Sequence, residues 1–155
     1  MLFISIMKKK KTVTVPLLNL RIENDGMHLL IKAKINNKIA TLVVDTGASR
    51  TVLDKNRIHR FVNHKNFEKQ DAISAGLGTA NMESHAAVIE KIEMGLKNKK
   101  LKIENLQLII LDLSHVNNSY AQIGMKEIDG VLGGDILKNY KAVIDYGKKR
   151  IVFSF

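Results

Sequence analysis

The sequence has no cysteine, no tryptophan and no long uninterrupted apolar run. Without cysteine, neither a disulfide framework nor a thiolate metal site can be built, and a reducing compartment suits the chain. Three tyrosines and five phenylalanines are the whole aromatic complement, which leaves little material for stacking nucleic-acid bases. A membrane-spanning helix takes about 20 consecutive apolar residues, and nothing approaches that length, so the expectation is a cytoplasmic chain with no membrane partner. Acidic residues are scarce as well: 15 Asp and Glu stand against 25 Lys and Arg, for a formal net charge of +10. Such an excess would favour a phosphate backbone through counterion release if it were clustered. Here the lysines are spread, with short runs only at Lys8 to Lys11, Lys97 to Lys100 and Lys148 to Arg150. Solvated turns and a basic terminus account for them, and a nucleic-acid partner is not expected.

What is present fits one globular domain: 155 residues, 45% hydrophobic and 26% charged, long enough to bury a core without staples. The six residues between Met1 and Lys8 are too few for the apolar part of a signal peptide, and the charge follows them instead of preceding them. Residues 1–11 are read as a disordered basic N-terminus and residues 12–155 as the folded domain.

Most of the chain reads as strands. "MHLLIKAKI" sets Met27, Leu29, Ile31, Ala33 and Ile35 on one face, with Lys32 and Lys34 on the other, the period of a half-buried strand. Asn36 and Asn37 tolerate positive φ and suit a tight turn. "KIATLVV" returns with apolar residues on both faces and predicts a central strand covered on both sides. Ile58, Phe61 and Val62 are spaced for one side of a short helix, with Asp54 as its N-cap. Gly76 and Gly78 bracket Leu77 between two strand-like runs and predict a hairpin tip. Ser84 to Leu96 and the run from Leu101 predict a long hairpin turning at "KNKK". A loop or short helix follows at "SHVNNSYAQIG", then a helix at "GGDILKNY" and a closing hairpin turning at Gly147. The fold class is therefore all-β, in one domain, with two or three short helices.

"LVVDTGASRTVLD", Leu42 to Asp54, poses the functional question. An apolar strand runs directly into a carboxylate, and an ionised carboxylate in a low-dielectric interior is costly unless it is paired. Either Asp45 is a turn residue open to solvent, or the strand buries it because burial perturbs the carboxylate, and the second reading is the expectation. Asp129, Asp135 and Asp145 read as structural, a turn, a helix cap and a strand end. His28, His59, His64, His85 and His115 lack zinc spacing such as H-E-x-x-H, and "AGLGTA" lacks the lysine and spacing of a phosphate loop. No metal or cofactor is expected.

"VVDTGAS" (Val43 to Ser49), taken with "IDGVLGGDILKNYKAVIDY" (Ile128 to Tyr146), resembles the retropepsin-like aspartic peptidases, the retroviral and retrotransposon proteases and their bacterial relatives. The shared pattern is an apolar strand into Asp-Thr-Gly-Ala/Ser, a glycine-tipped flap hairpin, and two apolar residues plus glycine leading into a helix. A lone Asp-Thr-Gly is a weak signal; its order and spacing relative to Val131-Leu132-Gly133 strengthen it. The resemblance implies a closed, barrel-like acid-protease fold and peptide hydrolysis by an activated water. It implies Asp45 as the catalytic carboxylate, and Thr46, Gly47, Ala48 and Gly133 as support for the active-site loop. Gly76, Leu77 and Gly78 would form the flap over a peptide or protein substrate. Many retroviral members carry an acidic residue where Ser49 stands and an arginine where Gly134 stands, and both are uncharged here, consistent with loss of that pair as a unit.

The chemistry accounts for these residue types. Hydrolysis by water needs a base for its proton and an acid for the leaving nitrogen, and two close carboxylates sharing one proton supply both. One Asp-Thr-Gly in a chain this short supplies one carboxylate, so the resemblance implies a homodimer with Asp45 from each subunit at a two-fold axis, and "RIVFSF" reads as an exposed edge strand available to close it. The alternative is a catalytically silent module that keeps the fold for dimerisation or peptide binding.

Overall fold

The computed structural model describes residues 10–22, 26–63, 67–69 and 85–155. Its architecture starts from two hairpins. β3 (Gly26–Ile35) and β4 (Lys38–Val44) are joined by Asn36 and Asn37 at φ 43° and 69°, the double positive φ that a two-residue hairpin turn demands. The alternation is as expected from Leu29 on, with Leu29, Ile31, Ala33 and Ile35 buried alongside Ala40, Leu42 and Val44, but Met27, expected on the same face, is exposed. β7 (His85–Leu96) and β8 (Lys99–Leu111) form the longer hairpin, turning at Lys97 with φ 45°.

Closure comes from two short strands with no hairpin of their own. β9 (Gly130–Leu132) lies parallel to β4, pairing Val44 with Leu132, and antiparallel to β5 (Val52–Asp54). β5 runs parallel to β8, and β7 returns to β3 at Ile35 and Ile92. The strands β3, β4, β9, β5, β8 and β7 therefore close a six-stranded barrel, with β2 (Leu18–Ile22) on β3 and β6 (Phe67–Lys69) on β7 as outer branches. Ile31, Ile35, Leu42, Leu53, Ile89, Leu108 and Ile110 fill the barrel. α1 (Ser114–Gln122) covers its outside through Tyr120 and Val116, which pack with Leu30, Val43, Val52, Val131 and Ile128. The expectation that β4 is covered on both sides is met: Leu42 faces the barrel and Val43 faces α1. α2 (Gly134–Asn139) follows β9, so with a 3-10 turn at Ile58–Arg60 the helical content is that expected. Among the described residues no helix is long and apolar enough to cross a membrane.

Three expectations change. The C-terminal strand is not an exposed edge. β11 (Arg150–Ser154) is the middle strand of a separate three-stranded sheet, between β1 (Thr12–Pro16) and β10 (Val143–Asp145). Ile151 and Phe153 are fully buried in the barrel core with Val13 and Val15, each contributing about 1.5–3 kcal/mol by burial. That burial fixes the strand inside its own subunit.

Asp54 is not a helix N-cap. It is 1% exposed and accepts from the backbone N–H of Leu113 at 3.1 Å and from Asn117 Nδ2 at 3.1 Å, tying β5 to α1. The turn it was expected to cap has no side-chain cap, and Ile58, Phe61 and Val62 anchor it by burial instead.

Asp129 is structural but does more than make a turn. At 3% exposure it accepts from Arg57 Nε at 2.7 Å, from Arg60, and from the Thr41 N–H at 2.8 Å, the pairing that a buried carboxylate requires.

Candidate active site

The parallel pairing of β4 with β9 builds the site. It sets the end of Val43-Val44-Asp45 beside Val131-Leu132-Gly133, two segments far apart in sequence. The Asp45 N–H continues the ladder by donating to the Leu132 carbonyl at 3.1 Å. Just past the strand the chain turns, and Asp45 Oδ1 accepts from the Gly47 N–H at 2.8 Å while the Ala48 N–H donates to the Asp45 carbonyl at 3.3 Å. These bonds orient the carboxylate locally. Glycine at position 47 also leaves room, since a Cβ there would stand 3.2 Å from Asp45 Oδ1.

The far side of the loop is clamped to α2. The N–H groups of Gly134 and Asp135 donate to the carbonyls of Ala48 and Ser49 at 2.7 and 3.1 Å. Gly133 allows this approach: a Cβ there would lie 2.4 Å from the Arg50 carbonyl group, inside any van der Waals limit. Thr51, 1% exposed, completes the clamp. Its hydroxyl accepts from the Gly133 N–H at 3.0 Å and donates to Asp135 Oδ1 at 2.7 Å. Asp135 also accepts from the Ile136 N–H at 2.8 Å, but it lies inside the first turn of a helix whose N-cap is Gly133, so it is not the helix cap that the sequence suggested.

Asp45, Thr46 and Gly47 are exposed. The carboxylate is held from below and open above, so within one chain the strand delivers Asp45 to the surface instead of burying it. It stands on the wall of a cleft of about 370 Å³. Leu29, Val43, Val116, Ile128, Val131 and Ile144 make that cleft mainly apolar, and Tyr146 also lines it. Its polar feature is a hydrogen bond between His28 Nδ1 and the Tyr120 hydroxyl, with the rings edge to face at 5.6 Å. Burial pushes the Tyr120 phenol above its ordinary pKa. Among the described residues, Asp45 is the only carboxylate lining this cleft.

Of the site residues read from sequence, Asp45, Thr46, Gly47, Ala48 and Gly133 come together in this one loop system. Gly76, Leu77 and Gly78 lie outside the described residues. Sequence reading missed Thr51, Asn117 and Tyr120. Asn117, 5% exposed, donates to Asp54 and to the Ile128 carbonyl and accepts from the Ile128 N–H at 2.8 Å, fixing α1 over the cleft. The available signal was a polar residue at a helix position facing apolar neighbours.

A family model for aspartyl proteases matches residues 31–136, well over half the chain. The chain belongs to the aspartyl protease family. Among solved structures, a retropepsin-like aspartic protease from Rickettsia conorii superposes at a TM-score of 0.56 and 16% identity, over 95% of this chain and 92% of that one. EIAV protease in complex with an inhibitor matches at 0.50 and 18% identity, over 81% of this chain and 99% of that one. The structure of edgp matches at 0.52 and 10% identity, over 92% of this chain but 45% of that one. At these identities the likeness is one of fold, and the fold of this aspartyl protease family member is retropepsin-like. None of the curated proteins matches the sequence.

Proposed function

We propose that the protein is an aspartic endopeptidase, active as a homodimer in which Asp45 of each subunit forms one half of a catalytic dyad. The observation that carries this reading is an exposed Asp45, oriented by the Gly47 N–H on the wall of an apolar cleft with no second carboxylate among its described lining residues.

Electrostatics explains why two such carboxylates act together. Two unit charges about 4 Å apart at an effective dielectric near 20 repel by about 4 kcal/mol, so two carboxylates held this close share one proton. The ionised Asp45 takes a proton from water as it attacks the scissile carbonyl. The protonated one donates to the developing oxyanion, and the proton then reaches the leaving nitrogen. Thr46 braces the two loops across the axis, Gly47 lets peptide backbone come close, and Ala48 and Gly133 hold the loop against α2. The flap role over the substrate is assigned to Gly76, Leu77 and Gly78 by the resemblance alone, as part of the same proposal. Residues 12–155 make up the protease domain.

Incubation with a mixed peptide library at acidic and near-neutral pH, comparing the parent with Asp45→Asn, tests the assignment. Cleavage by the parent and none by the variant is expected. Retention of peptides without cleavage by either protein would favour the silent binding module.

A further inference from the structure

We propose that the protein docks on an anionic lipid surface through the end of the molecule where β1, β11 and the β7–β8 hairpin meet. The three lysine runs are separate in sequence, but the fold unites two of them. Val13 lies against Gly95, where a Cβ would stand 2.8 Å from Val13 Cγ1, and Lys11 exchanges backbone hydrogen bonds with Phe155 at 2.7 and 2.9 Å. β1 therefore carries the first run to the hairpin tip that holds the second. Lys10, Lys11, Lys99 and Lys100 line one open cleft there, of about 530 Å³, with no Asp or Glu among its lining residues. Lys97 is exposed in the adjoining turn. Of these five lysines only Lys100 has an ion-pair partner among the described residues, Glu93 at 3.9 Å. The third run stays at the opposite end of the sheet, where Arg150 is paired with Pro16 and the Lys149 carbonyl accepts from the Leu17 N–H.

Apolar groups set among the charges single out a lipid surface from other polyanions. Leu96 ends β7 at the hairpin tip and is 56% exposed, and Phe155 lines the cleft and is 45% exposed. Exposed apolar side chains beside lysines are the pattern of a face that enters the headgroup region. Single-stranded nucleic acid is held by a row of stacking rings along a groove, and Phe155 is the only aromatic residue lining this cleft. Bidentate recognition of a carboxylate or phosphate favours the arginine fork, whereas every cation here is a lysine. Lysines are point charges suited to a diffuse negative surface, to which each adds attraction within a Debye length. The sequence before Lys10 has the same composition, with Lys8 and Lys9 following Leu2, Phe3, Ile4 and Ile6. The expectation of no membrane partner rested on the lack of a spanning run, which docking on a surface does not need.

Sedimentation of the whole chain with phosphatidylcholine vesicles containing about 30% phosphatidylserine, at physiological salt, tests the proposal. Binding is expected, and at least about tenfold weaker binding to pure phosphatidylcholine. Lys11→Glu with Lys99→Glu, both at exposed positions, should weaken binding at least about tenfold with unchanged circular dichroism. Lys148→Glu with Lys149→Glu makes the same change of charge about 13 Å away along β1, beyond the roughly 8 Å screening length, and should alter binding less than about threefold. Leu96→Ser, which leaves the charge alone, should weaken binding at least about threefold. No binding to either vesicle overturns the proposal. Equal losses in the two charge-reversed proteins would show attraction by net charge alone and overturn the docking face. Binding that survives Lys11→Glu with Lys99→Glu would place attachment outside this surface and overturn it too. Tighter binding to duplex DNA than to vesicles, with Leu96→Ser indifferent to both, would assign the lysines to nucleic acid. None of these readouts uses peptide cleavage, so the Asp45 dyad stands or falls separately.

Discussion

Thr51 and Asp135, 84 residues apart, are joined twice: the Thr51 N–H and hydroxyl both donate to Asp135 Oδ1, at 2.9 and 2.7 Å. The same hydroxyl accepts from the Gly133 N–H. One buried oxygen thus locks the exit of the Asp45 loop to the entry of α2, and a proton-transfer group is only as well placed as the loop that carries it.

Thr51→Val keeps the shape and removes the hydroxyl, leaving the Gly133 N–H without its partner and Asp135 with one donor fewer. A loss of about 1–3 kcal/mol in urea unfolding is expected, with Thr51→Ser close to the parent. An unchanged midpoint in Thr51→Val would mean the clamp is dispensable.

Gly133→Ala has no room, because its Cβ would meet Arg50 backbone at 2.4 Å, whereas the nearest neighbour of a Cβ at Gly147 is 3.6 Å away. The first variant should lose at least about 1–3 kcal/mol through forced backbone movement, and Gly147→Ala should stay within about 0.5 kcal/mol. Paired thermal melts compare them directly, and equal melting temperatures would contradict the close approach.

Much of this arrangement could be read before any coordinates, and the limit has a physical basis. Local signals carried through: the alternation of Leu29 to Ile35, the Asn36-Asn37 turn and the helix after Gly133 all appear where the pattern predicts. What was hidden is long-range. Nothing periodic marks β9 as the parallel neighbour of β4, and the resemblance supplied only Gly133 as support for the Asp45 loop. The edge reading of β11 failed because an apolar terminal strand looks the same whether its edges are free or, as here, filled by β1 and β10. Asp129 looked like a turn because its partners, Arg57 and Arg60, lie some 70 residues earlier. The exposure of Asp45 could not be read either, since burial of the dyad, on our proposal, is a property of two chains.

Tyr120 gives a pH dependence of stability. Its pKa is raised by burial in the folded chain, so the folded state holds the phenolic proton more tightly than the unfolded state does. The resulting stability is fully present below the ordinary tyrosine pKa near 10 and is lost as pH rises above it toward the folded-state value. Tyr120→Phe should flatten this alkaline loss while costing about 1 kcal/mol at neutral pH through the broken bond to His28. An alkaline profile as steep in the variant as in the parent would assign the loss to other groups.

Asp112 should act at the opposite limb. The Ser114 hydroxyl and N–H both donate to it, the latter at 2.9 Å, and with Asn56 and Lys55 they hold its pKa below the ordinary value. Its contribution is present above about pH 4 and fades as pH falls through the depressed value. Asp112→Asn should therefore be less stable than the parent at neutral pH, with the gap closing in acid. A constant gap across the range would show that the charge plays no part.

The central claim, that one Asp45 from each of two subunits makes one active site, is met most directly by subunit mixing. Wild-type and Asp45→Asn chains are combined at fixed total concentration, allowed to exchange, and assayed on a peptide that the wild type cleaves. If each site needs both carboxylates, activity falls as the square of the wild-type fraction, to about one quarter at an equal mixture. A linear fall, to about one half, would mean that each subunit cleaves with its own carboxylate and would contradict the dyad.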